Sequence, residues 1–185
     1  MLKILRQYLL MASLSFWASY TLQAQTTVNT QVKQINKVYQ EIRSDVSHKK
    51  LGTSHFTFNL KRHNLHHSGY RHYSQKLYYS WQQEQACLRL ALVRSERGRV
   101  DYQKEFLFNQ KGELVYFQEK QNDEKKYPYR EVKVYFAQGK LLVWNQNQQN
   151  NLHHQRIQSP VEKVQLIMQE AKALQADLHK QTKKP

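Results

Sequence analysis

Apolar residues recur every three or four positions at Val28, Val32, Ile35, Val38, Tyr39, Ile42 and Val46. That spacing predicts an amphipathic helix over about 28–46. Lys33, Lys37, Glu41 and Asp45 fall on its other faces, as a surface helix requires. The basic run His48-Lys49-Lys50 suits the negative end of the helix dipole, and Gly52 is the expected stop.

From His55 the period changes to two. Phe56, Phe58 and Leu60 alternate with polar residues, as do Leu77, Tyr79 and Trp81, and Leu88, Leu90 and Leu92 share one side of their run. Val100, Tyr102, Phe106 and Phe108 share a face broken by Lys104; Leu114–Gln118, Val132-Val134-Phe136 and Leu142-Trp144 continue the pattern. Turn residues separate these runs at Ser95–Gly98, Asn109–Gly112, Gln121–Glu124 and Ala137–Lys140. Short links between neighbouring strands predict an antiparallel meander, with one face in the core and the other wet. The segments Phe106–Phe117 and Val134–Trp144 are alike: aromatic strand, turn ending in glycine, charged residue, apolar strand. Two hairpins obeying one physics account for the likeness, since two copies do not make a repeat protein.

A polar tract, Asn145–Asn151, opens an expected flexible loop over 145–158. Ser159-Pro160-Val161-Glu162 then has the form of a helix start, with Ser159 as N-cap and Pro160 at the first helical position. Val161, Val164, Ile167, Met168, Ala171, Leu174 and Leu178 supply the apolar face, and the tail 180–185 is expected to fray. The fold class is therefore α+β: an N-terminal helix, an antiparallel meander sheet of six or seven strands, and a C-terminal helix packed on the sheet.

The first 24 residues change the setting of this domain. Lys3 and Arg6 precede the apolar run Leu9–Ala18, and Leu22-Gln23-Ala24 ends in the small residue that a signal peptidase needs. This is the layout of a secretory signal peptide over 1–24. Its apolar run is shorter than the ~20 residues of a membrane-spanning helix. Gln25 stands where a bacterial lipoprotein would carry its lipidated cysteine. A periplasmic or secreted location follows, with 25–185 as a single domain of about 160 residues, large enough to bury a real core. Cys87 is the only cysteine, so no disulfide within the chain can hold this domain. Its place in the apolar run Cys87–Leu92 suggests a small buried side chain.

Charge narrows the partners. The chain carries a formal net charge of +15, and Lys3 and Arg6 leave with the signal. Such a charge attracts polyanions without specifying which. Outside the cytoplasm these are lipopolysaccharide, acidic polysaccharide, anionic phospholipid and extracellular DNA, the last disfavoured because the compartment contains little of it; the expected partner is an anionic envelope component or an acidic protein surface, with no specific nucleic acid. The bias is sharpest between Asp45 and Glu84, where no acid occurs. Lys61, Arg62, Arg71 and Lys76 lie there among aromatics that include Tyr73 and Trp81, and these six are the candidate ligand-binding residues. A solvated strand edge, its charges discouraging pairing, is the alternative for the same stretch.

Histidines are frequent in this stretch too. His63, His66 and His67 could hold a metal, or ligate haem, but no HExxH and no second cysteine accompany them. No cofactor is implied otherwise. A G-x-S-x-G elbow, a glycine-rich phosphate loop and a paired-acid pattern are all missing from the sequence. The expectation is a non-enzymatic exported binding protein with an anionic ligand. A His-rich metal- or haem-binding protein comes second, and a secreted hydrolase third.

Overall fold

The computed structural model describes residues 27–58, 70–97, 100–123, 130–148 and 160–182. Helix α1 covers 27–47. It ends before the expected glycine. Lys49 adopts a left-handed φ of 56°. The Lys50 amide donates to the Asp45 carbonyl at 2.9 Å, and the Lys49 amide to Val46 at 3.1 Å. Those two bonds are the Schellman closure, made here without glycine. Gly52 instead begins the sheet, where a Cβ would come within 2.5 Å of the Tyr79 ring across the strand pair.

Seven strands follow: β1 (Gly52–Phe58), β2 (Tyr70–Gln82), β3 (Gln85–Arg97), β4 (Val100–Phe108), β5 (Leu114–Asp123), β6 (Arg130–Ala137) and β7 (Lys140–Gln148). They form one sheet in sequence order, every neighbouring pair antiparallel. Helix α2 (Pro160–Thr182) closes the chain. The strand β7 runs to Gln148, so the first four residues of the expected polar loop pair with β6. Residues 149–159, with Ser159 and most of that loop, lie outside the described residues.

The turns show two grades of fit. The β6–β7 turn places Gln138 and Gly139 at φ 52° and 73°, and Gly139 takes this conformation without strain. The β2–β3 turn asks the same of Gln83 and Glu84, at φ 47° and 66°, although neither residue favours it.

Both faces of the sheet are covered, which corrects the expectation of one wet face. On one face Leu77, Leu88, Ala91, Phe106, Phe117, Val132, Val134 and Phe136 pack with Ile167, Ala171, Leu174 and Leu178 of α2. On the other, Leu90, Leu107, Tyr116 and Tyr135 pack with Ile42 of α1, flanked by Val32, Ile35, Val38, Tyr39 and Val46. Adjacent residues such as Leu90 and Ala91, or Phe106 and Leu107, are therefore both fully buried. Alternation puts them on opposite faces, and only a helix on each side can bury both.

Polar bonds set the course of each helix. On α1, Asn36 accepts from the Tyr135 hydroxyl of β6 at 3.2 Å, Tyr39 packs at a tilt against Tyr116 of β5, and the Tyr39 hydroxyl donates to Glu105 of β4 at 2.6 Å. On α2, Lys163 pairs with Glu119 of β5 and Glu170 with Lys104 of β4, both at 2.7 Å. Gln175 donates to the Gly112 carbonyl in the β4–β5 turn, and Ser54 of β1 donates to Gln181. Lys104, which interrupts an apolar pattern in the sequence, is thus a clasp between sheet and helix. Val161, expected on the buried face of α2, is exposed, because the helix engages the sheet from Lys163 onward.

Candidate functional site

The described part of the acid-free stretch, 46–58 and 70–83, makes one edge of the sheet. It begins at the end of α1, forms all of β1, and fills β2 as far as the turn at Gln83. β1 is the terminal strand and pairs with β2 in unbroken register, from Gly52 opposite Tyr79 to Phe58 opposite Tyr73. Period-two alternation then sorts its side chains onto two faces.

The face shared with α2 is aromatic. Phe56 and Phe58 are 48% and 44% exposed. The Phe56 and Tyr73 ring centroids are 6.4 Å apart. Further along β2, Trp81, 58% exposed, stands edge-on to Tyr79 at 5.7 Å. The face shared with α1 is polar and cationic: His55 lies directly across from Lys76, and Thr57 from Ser74, with His55 and Lys76 both exposed.

These positions divide the six candidate residues. Tyr73 and Trp81 share the α2 face but lie eight residues apart, about 26 Å along a strand. Tyr73 is half-buried, and its hydroxyl donates to Gln75 at 2.9 Å. Lys76 is on the opposite face. Arg71 occupies the irregular step between Tyr70 and His72 where the β2–β3 register shifts. Lys61 and Arg62 lie outside the described residues, as do His63, His66 and His67. Among the described residues no group of three His, Cys, Asp or Glu side chains is placed to hold a metal ion. Cys87 is half-buried at the β2–β3 end, its thiol 3.5 Å from the Gln82 side-chain oxygen, while Ala86 and Leu88 fill the core beside it.

No family model, no curated protein and no solved structure matches this chain. Its reading rests on its own geometry.

Sequence reasoning alone missed how the acids are used. Glu105 holds Tyr39 and Arg43 of α1, Glu119 and Glu170 hold α2, and Asp101 takes two bonds from Arg94. Glu131 is ringed by Gln118, Lys120 and Lys133. Burial would raise its carboxyl pKa, but hydrogen bonds from Lys133 and Gln118 and the charge of Lys120 outweigh burial and hold it below the usual range. These carboxylates tie the middle strands to the helices and to one another. A cleft of about 330 Å³ beside α2, walled by Tyr73, Tyr102 and Phe117, contains both α2 clasps, so its charges are already paired.

Proposed function

We propose that the protein is an exported, non-enzymatic binding protein of the bacterial envelope, and that its β1–β2 edge holds an anionic partner. One observation carries this reading: acids across the fold are engaged in clasping helices and strands, while the sequence from Val46 to Gln83, which supplies the edge strands β1 and β2, has cations and no acid. A field of one sign at a sheet edge concentrates anions there and speeds their encounter. The signal-like residues 1–24 support a place where anionic envelope components are abundant. The aromatic side chains on the same edge add surface for stacking or apolar contact.

Charge reversal tests this. Lys61, Arg62, Arg71 and Lys76 changed together to Glu should sharply weaken retention on a heparin-like resin and binding to lipopolysaccharide. The control set is Lys111, Lys172 and Lys180, all exposed. Lys163 is unsuitable as a control, because reversing it would set two carboxylates together against α2. Wild-type binding should also fall steeply with salt, since screening acts over about 8 Å at physiological ionic strength. Equal losses from both sets would mean that net charge alone binds the anion, and would refute a site at this edge.

A further inference from the structure

We propose that β1 is an open docking edge that takes an extended polypeptide with alternating apolar and acidic side chains as an eighth strand. This rests on the anionic-partner reading and names the partner's class.

Four observations converge on β1. It terminates the sheet, and among the described residues no strand pairs with its outer side. Its sequence, GTSHFTF, contains none of the usual guards against added strands: no lysine, no arginine, no acid and no proline. Its register with β2 has no bulge to twist the edge away. Its two faces differ in chemistry, with Phe56 and Phe58 half-exposed on one and His55 beside Lys76 on the other.

An added strand would be held by backbone hydrogen bonds, which are indifferent to sequence. Specificity would come from the alternation of its side chains. Those on the α2 face would meet Phe56 and Phe58 and favour apolar groups. Those on the α1 face would meet His55 and, one strand further in, Lys76. Two strand spacings are about 10 Å, close to the screening length, so Lys76 still favours an acid there. The other edge, β7, has no such asymmetry. Its neighbour β6 carries Glu131 and Lys133 on one face, so the charges there are mixed.

The test uses three synthetic peptides and the protein without residues 1–24. One peptide alternates valine with glutamate, one alternates valine with lysine, and one is the glutamate peptide with a central proline. Binding is followed by chemical-shift titration, and amide hydrogen exchange maps the site. The glutamate peptide should bind, slow exchange in Gly52–Phe58, and lose affinity about tenfold or more in Phe56→Ser/Phe58→Ser. These side chains are exposed enough for that variant to fold. His55→Glu/Lys76→Glu should reverse the preference, taking the lysine peptide over the glutamate one, which a merely damaged protein would not do. Equal binding of the proline peptide, or binding without protection of β1, would make the contact electrostatic only and overturn the added strand. Heparin binding without peptide binding would overturn it while leaving the anionic reading intact. Loss of both would remove that reading as well.

Discussion

Three tyrosines show what single residues contribute to the α1 side of the core. Tyr39, Tyr116 and Tyr135 pack in succession with their rings tilted by 55° and 57°, centroids 5.4 and 5.1 Å apart. Burial, then the hydrogen bond to Glu105 and its charge, push the Tyr39 phenol up to about 12, with Arg43 opposing. Tyr116 is pushed up further, by burial first and then by Tyr135, Tyr39 and nearby carboxylates. Both are raised above the ordinary value of about 10, so the folded state favours the neutral phenols. The contribution of Tyr39 is intact below pH 10 and is lost as the pH rises through about 12, and that of Tyr116 declines from the same starting point over a range extending higher. Urea midpoints measured from pH 8 to 12 should fall over that window, and Tyr39→Phe should flatten the fall. At neutral pH the same change should cost about 1.5–3 kcal/mol, because the bond lost is to a carboxylate. Midpoints independent of pH across the window would contradict this placement of the tyrosines.

At the scale of elements, the decisive feature is a helix on each face of one sheet. Leu107 and Phe106 are neighbours in β4 that face different helices. Phe106→Ala should cost about 3–5 kcal/mol and Leu107→Ala about 2–5 kcal/mol in chemical denaturation. A wet α1 face would make the Leu107 change nearly neutral. Both helices, the meander and most strands were legible from periodicity, because a 3.6-residue or two-residue repeat is a local signal. Two-sided burial was legible in part: Phe106-Leu107-Phe108 and Val134-Tyr135-Phe136 are continuous apolar triplets, the mark of a strand covered on both faces. Reading alternate positions alone concealed it. The β2–β3 turn gave no signal, since Gln83 and Glu84 are not turn residues and are held there by the strands on either side. The end of α1 was placed within a residue or so, but its cap was not, a lysine taking the conformation expected of glycine. The clasps could not be read at all, because Lys104 and Glu170 are 66 residues apart and only the packing of α2 makes them partners.

For the whole molecule, the distribution of charge matters more than its sum. A net charge of +15 says little by itself, and the local absence of acid says more, since the described parts of that stretch form the edge strands β1 and β2. Of the six candidate residues, the stretch was legible as a block, but the division of Tyr73 and Trp81 from Lys76 depends on strand register. The most direct measurement is amide hydrogen exchange of the protein lacking residues 1–24, with and without a heparin oligosaccharide. Protection should concentrate in Gly52–Phe58 and Tyr70–Gln82, leave Pro160–Thr182 unchanged, and vanish at high salt. Protection spread over α2 and the turns in proportion to their lysines, or none in β1 and β2, would contradict an anion-binding edge.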